Sequence, residues 1–269
     1  MSHDGPMDRR RSVQVIAVTG GKGGVGKSTL SINLATGFAL GGRKTLLLDG
    51  DLGLANADVM LGVTPKYTLG DVISGDRSLE EVLTPVRPNL SIVAGASGIS
   101  ALAGLGEAEH IGIVRAFSSL VDDIDVLVVD TPAGISAGVL QLTQAAQHII
   151  VVVCDEPASV TDAYAVIKVL SAEHSIRHFK VVTNMTRSGG SGTQLFATLL
   201  KVTNRFLDVV LEHAADIPDD DFLRRAIREQ RPVIDAYPGS AAGAALKRLV
   251  SKASQWEDFG ARFGNWWIL

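Results

Sequence analysis

The stretch GKGGVGKS, Gly21 to Ser28, decides the fold. Gly21, Gly26, Lys27 and Ser28 meet the spacing G-x-x-x-x-G-K-[ST] of a phosphate-binding loop. Such a loop needs a strand before it and a helix after it, and both flanks supply them. VQVIAVT at 13–19 is short, apolar and β-branched, whereas TLSINLATGFAL, beginning at Thr29, carries apolar residues at helical spacing. Glycines let backbone N–H groups turn inward around a polyphosphate, and the helix N-terminus adds partial positive charge. A nucleoside triphosphate is the expected ligand, held along Gly21, Lys22, Gly23, Gly24, Val25, Gly26, Lys27, Ser28 and Thr29. Lys27 is expected at its terminal phosphates and the Ser28 hydroxyl on Mg²⁺.

Outward from this loop the chain alternates strand and helix. TLLLD at 45–49, LSIVAG at 90–95, VLVVD at 126–130, IIVVVC at 149–154 and FKVVTN at 179–184 are near-continuous apolar runs. That pattern belongs to a parallel sheet covered on both faces. Helical patterns lie between most of them, in HIGIVRAFSSLV, GVLQLTQAAQ, PASVTDAYAVIKVLSAEH and TQLFATLLKVTNRFLDV. The expected fold is α/β: one doubly wound, mostly parallel sheet with helices on both faces. GASGISALAGLG at 95–106 and SGGSG at 188–192 read as loops rather than linkers. The expected organisation is a tail at 1–12, one nucleotide-binding domain at 13–255 and a C-terminal segment at 256–269.

Ligands of such sheets bind at the carboxyl ends of the strands. Asp49 and Asp51, Asp130 and Asn184 end or follow apolar strands there. A carboxylate in that position beside a phosphate loop can hold Mg²⁺ directly or through water, which nominates Asp130. The TPAG that follows it brings Gly134, expected to let the backbone approach a terminal phosphate as a switch loop.

Composition narrows the class. The 269 residues, 46% hydrophobic with 28 glycines, suit a packed α/β protein. No window has the roughly 18 consecutive apolar residues of a membrane span, and MSHDGPMDRRRSVQ lacks the apolar stretch of a signal peptide. A cytoplasmic protein is expected. The net charge of −4 argues against a broad nucleic-acid surface, and Arg9, Arg10 and Arg11 read as a solvated tail. One cysteine, Cys154, lies in an apolar run as a buried thiol, so metal–sulfur chemistry is not expected. Capping accounts for Glu156 and Asp162 at the start of their helix, while Phe206 reads as core and Arg205 as solvated surface.

The extra Lys22, the aspartates of LLLDGDLGLAN and DTPAG together resemble the deviant P-loop ATPases of the MinD/ParA superfamily, over nearly the whole chain. The resemblance implies an ATP-dependent homodimer in which Lys22 reaches the phosphates of the facing subunit. It implies Asp51 as the residue orienting water, with Lys22 and Lys27 in the catalytic set and Asp49 supporting the magnesium site with Ser28 and Asp130. Asn184, with Pro218 and Asp219 in the IPDD segment, is implied beside adenine. DLGLANADVMLG, VVVCDEPASVTDAYAVIKVL and KVTNRFLDV look most like the FlhG/FleN branch, which controls flagellar number and placement. That implies restraint of a flagellar transcription activator. The N-terminus lacks the glutamine-bearing segment through which some members stimulate the FlhF-type GTPase, so the activator is the favoured partner. A MinD-type division-site regulator and a ParA-type DNA partition ATPase are the alternatives.

The C-terminal segment has its own pattern. Trp256, Phe259, Phe263, Trp266 and Trp267 share one helical face, and interfacial aromatics favour a membrane surface. MinD and FlhG end in a membrane-binding amphipathic helix, so these five residues are expected to meet the inner face of the cell membrane, at the pole.

Overall fold

The computed structural model describes residues 13–51, 56–95, 117, 123–187 and 189–257. The tail at 1–12, the helix expected within 110–121, most of the 95–106 loop, Leu52 to Ala55, Ser188, Phe259, Phe263, Trp266 and Trp267 lie outside them.

One eight-stranded sheet organises the described residues, in the order β3-β4-β2-β5-β1-β6-β7-β8. The strands are β1 (Gln14–Thr19), β2 (Thr45–Asp49), β3 (Thr84–Arg87), β4 (Leu90–Val93), β5 (Val126–Asp130), β6 (His148–Cys154), β7 (His178–Thr186) and β8 (Val210–Pro218). All neighbours pair parallel except β3, which runs antiparallel to β4. β1, β2, β5 and β6 are buried almost throughout, as their unbroken apolar runs require. The two strands absent from the apolar reading are the sheet's edges. β3 contains Pro85, and β8 carries Glu212, His213 and Asp216 on a half-exposed ribbon, so neither forms an apolar run.

Successive side chains of a strand point to opposite faces, and two cores follow. Val15 and Ala17 pack with Leu46, Leu48 and Val151 on one face, whereas Ile16 and Val18 pack with Leu47 and Val152 on the other. The first face is covered by α3 (Leu69–Ile73), α4 (Leu79–Val82), α5 (Ala137–Gln144), α6 (Pro157–His174) and α7 (Ser191–Phe206). The second is covered by α1 (Lys27–Leu40), α2 (Ala57–Leu61), α8 (Asp221–Arg228), α9 (Val233–Ala236) and α10 (Ala241–Ala253). Short α2, α3, α4 and α9 span barely a turn, too little for helical periodicity to register in the sequence. α10 begins as its sequence suggests, the Ser240 hydroxyl accepting from the Gly243 amide at 3.1 Å.

Two expectations change. Phe206, read as core, is 63% exposed on the last turn of α7, with Tyr164 edge-on and the Arg205 guanidinium over its ring. Trp256, read as part of a lipid-facing stripe, packs on the protein's own second core. Its ring lies 5.2 Å from that of His148 and under the Lys180 ammonium at 5.1 Å. The indole is held because α10 ends directly over the sheet, where the Gln14 amide donates to the Ala253 carbonyl at 2.8 Å.

α1 is buried nearly all round, and Phe38, 1% exposed, fixes its far end against the sheet. Phe38→Ala is expected to cost about 3–5 kcal/mol of unfolding free energy. Equilibrium urea denaturation checks this, and a loss under about 1 kcal/mol would contradict the packing described.

Candidate functional site

The site forms where β1, β2 and β5 end together. Parallel register sets Asp49 opposite Asp130, and Asp130 opposite Val18, whose strand runs on into the glycine loop. Two carboxylates therefore stand side by side, Asp130 one strand and Asp49 two strands from the strand that leads into the phosphate loop. The Gly50 amide donates to the Asp130 carbonyl at 2.8 Å, an approach that a Cβ at residue 50 would obstruct.

The loop itself is held from three sides. Gly24 and Gly26 adopt φ of 80° and 93°, a region that disfavours other residues, and Gly26 leads into α1 with no side-chain cap. The first N–H groups of α1 thus lack intrahelical partners and face the loop, as an anion site requires. Gly21 lies against the backbone of Asp162 in α6, leaving no room for a side chain. From the other side, the Asn184 Nδ2 donates to the Val25 carbonyl at 2.8 Å and sits where a Cβ on Gly26 would be. The Gly134 amide donates to the Gly20 carbonyl at 3.2 Å with φ 98°, so the TPAG loop is tied directly to the phosphate loop.

Charge is concentrated and dehydrated here. Asp130, 3% exposed, is pushed up to about 7 by burial and by the Asp49 charge, against hydrogen bonds from Ser28 and Ser31 and the nearby Lys27. Asp49, 1% exposed, is pushed up to about 6, again mainly by burial. Burial lowers the Lys27 ammonium, with Asp130 and Asp51 opposing. The Lys27 Nζ lies 3.3 Å from the Lys22 carbonyl.

The donor set of Ser28 hydroxyl and Asp130 carboxylate suits a hard cation. Among the described residues no cluster of three or more His, Cys, Asp or Glu can cage a metal, so a cation here draws its remaining ligands from phosphate and water, as Mg²⁺ does. Asp49 has a different task. Oδ1 accepts from the Asp51 amide and Oδ2 from those of Asn56 and Ala57, all at 3.1 Å, so the carboxylate clamps both ends of the Asp51–Asn56 loop rather than pointing at a coordination position. Asp51 is carried on that loop, close enough to Lys27 to raise its pKa.

The remaining predicted residues fall into place around this core. Lys22, at the exposed tip with Gly23 and Gly24, forms an ion pair with Glu156 of its own chain. Glu156 makes no side-chain cap to α6, so ion pairing rather than capping explains it. Thr29 sits in the first turn of α1, its carbonyl accepting from Asn33. Pro218 ends β8, and the Asp219 amide donates to the Thr186 carbonyl at 2.9 Å, which sets both beside Asn184. Met185, which no sequence signal marked, turns out at φ 57° where β7 and β8 slip register, and is 40% exposed next to Gly26.

A P-loop bounded by paired strand-end carboxylates and a supplementary lysine separates this chain from ordinary glycine turns, and comparison with known proteins agrees. The family description ParA, NUBPL iron-transfer P-loop NTPase, matches residues 11–254. The chain belongs to the ParA/MinD family of P-loop NTPases. It is 50% identical to the antiactivator FleN of Pseudomonas aeruginosa, covering 93% of this chain and 89% of FleN. It is 32% identical to the flagellum site-determining protein YlxH of Helicobacter pylori, covering 90% and 82%. Among solved structures, septum site-determining MinD of Pyrococcus horikoshii complexed with Mg-ADP superposes with a TM-score of 0.75 at 28% identity, covering 90% of this chain and 96% of that one.

Both carboxylates have pKa values raised above the ordinary 3.8. At these two groups the folded protein therefore retains protons that the unfolded chain has released, and their contribution to stability falls as pH rises from about 4 to about 7. In Asp130→Asn that fall is expected to shrink, by an amount on the order of a few kcal/mol. Thermal midpoints of the two proteins without nucleotide, measured from pH 4.5 to 8, check this; parallel curves would refute a raised Asp130 pKa.

Proposed function

We propose that this chain is a slow Mg²⁺-dependent ATPase switch that regulates flagellar number and placement. The observation that carries the reading is the site itself, a P-loop flanked by Asp51 and Asp130, in a chain half identical to an antiactivator. In this reading Lys27 and the N–H groups of Gly23 to Thr29 bind the β- and γ-phosphates. Ser28 and Asp130 hold Mg²⁺, which neutralises phosphate charge when bound. Asp51 orients the attacking water and shares the low-dielectric site with Lys27. Asn184 fixes the loop through Val25 and keeps its carbonyl oxygen as an acceptor toward the base, near Met185, Pro218 and Asp219.

Lys22 supplies the switch. Its ammonium is engaged within its own chain by Glu156 and lies at the exposed rim, so meeting phosphates of a facing copy requires that partner to be exchanged. ATP then closes an isologous homodimer, and hydrolysis reopens it. The ATP-bound dimer restrains a flagellar transcription activator. The name antiactivator carried by the 50% identical relative supports this over division-site or partition roles. The iron-transfer activity in the family's description has no basis here, since the chain's one cysteine, Cys154, is buried.

Asp51→Ala is expected to retain ATP-dependent dimerisation with turnover reduced at least about a hundredfold. Lys22→Gln is expected to bind ATP as a monomer and fail to dimerise. Phosphate release together with analytical ultracentrifugation in ATP distinguishes these; normal turnover in the first variant or a normal dimer in the second would overturn the corresponding role.

Phe259, Phe263, Trp266 and Trp267 are the membrane anchors in this proposal, giving a cytoplasmic protein that reaches the inner membrane peripherally at the pole. Among the described residues no helix is long and apolar enough to cross a membrane. Co-sedimentation of the intact Asp51→Ala protein with anionic liposomes is expected in ATP and not in ADP, and is expected to vanish in a version ending at Glu257, which keeps the Trp256 contact. Binding by the shortened protein would remove the anchors from these residues.

A further inference from the structure

An open cavity of about 620 Å³ lies away from the P-loop, between the segment joining α2 to α3 and the edge strand β3. That volume is within the roughly 300–1,000 Å³ of ligand-binding clefts. Tyr67 forms one wall, half-buried against the first core. Two cations share its ring, the Lys66 ammonium 4.9 Å and the Arg77 guanidinium 4.4 Å from the centroid. The ring quadrupole attracts both while their like charges repel.

Among the described residues one carboxylate, Glu81, lines the cavity, and both of its oxygens accept hydrogen bonds. Glu81 Oε1 accepts from Arg77 at 3.1 Å and Oε2 from the Ser78 amide at 2.9 Å, in the capping box that starts α4. Lys66 makes no ion pair among the described residues. Among the described residues the lining thus carries two cations against one carboxylate, on a chain whose formal net charge is −4. Beside the cations lie the apolar surfaces of Leu83 and Pro85.

We propose that this cavity docks an acidic segment of a protein partner, a carboxylate meeting Lys66 and Arg77 while a neighbouring apolar side chain covers Tyr67, Leu83 and Pro85. The volume exceeds what a single small anion fills. A nucleic acid would need several phosphate contacts, and the described lining offers two cations. Strand addition is not the mode of binding, because Pro85 has no N–H to donate and β3 slips register between Pro85 and Arg87. Recognition therefore rests on side chains. The cavity's first lining residues follow α2, whose start is bonded to Asp49, so an occupant sits one short helix from the loop that carries Asp51. The docking proposal stands on the cavity alone and does not depend on the ATPase reading.

The test uses the full chain labelled with ¹⁵N and titrated at low salt with a hexaglutamate peptide, sodium phosphate and a hexalysine peptide. Hexaglutamate is expected to shift the amides of Thr64 to Tyr67 and of Arg77 to Leu83, with affinity falling as salt rises. Lys66 is exposed, so Lys66→Glu keeps the fold. That variant is expected to lose about tenfold or more in hexaglutamate affinity, equivalent to about 1.4 kcal/mol, and to shift these amides with hexalysine instead. Hexaglutamate shifts elsewhere on the surface, or shifts that survive in Lys66→Glu, would overturn the site. Equal responses to free phosphate at the same concentration would make it an anion site and overturn the peptide.

Discussion

The in-register ending of β1, β2 and β5 is the constraint on which the rest of the molecule depends. Parallel pairing aligns Val18, Asp49 and Asp130 across three strands, and the glycine loop continues from the first. Buried apolar strands fix this register tightly, because a slip of one residue would send every side chain to the opposite face. The consequence is electrostatic. Two carboxylates are held together out of water, and a lysine partly stripped of its own hydration is the nearby compensating charge. Isolated buried charges are expensive, so burial pushes both carboxylates toward their neutral forms. The fold's stability supports an arrangement that would not form by itself.

In the proposed switch, the parts that change partners lie around that rigid centre. The Asp51 loop is tied at its ends to one carboxylate, Asp49. Gly134 is tied to Gly20 by one backbone bond. Lys22 is held by a single exposed ion pair, the kind of contact worth little because water and salt screen it. A weak hold is suited to the exchange proposed for Lys22, whereas a buried pair would trap it. Asn184 is the contrast, since its side-chain amide reaches a buried backbone carbonyl and so belongs to the scaffold.

The fold was legible because its central strands are buried on both faces and read as unbroken apolar runs. Edges were not: β3 and β8 are half solvated, and Pro85 or Glu212 interrupts any run. The phosphate loop could be read residue by residue, since its chemistry lies in backbone shape and glycine spacing reports that shape directly. Asp49 could be located but not assigned, because whether a strand-end carboxylate faces a cation or clamps backbone amides depends on the path of the following loop. Glu156 read as a helix cap and Met185 had no signal, since each acquires its neighbours only when β6 and β7 are laid beside β1. Trp256 fitted a helical stripe by spacing, yet the end of α10 over the sheet decides where it goes.

The position of Trp256 also constrains how the two ends of the molecule can communicate. His148 begins β6 and Gln14 begins β1, so the last described contacts of the chain lie at the amino ends of the strands. The phosphate loop sits at their carboxyl ends. At about 3.3 Å per residue, the seven residues of β6 separate these ends by about 20 Å of packed sheet. The described contacts of Trp256 therefore lie across the sheet from the phosphate loop, and the sheet between is too well packed to act as a lever. Coupling through subunit number meets no such obstacle. If nucleotide sets whether two chains are joined, it sets whether one or two weak anchors reach a surface together, and the second binds at the high effective concentration created by the first. In the proposed switch, nucleotide and membrane are then linked without any strain passing through the core.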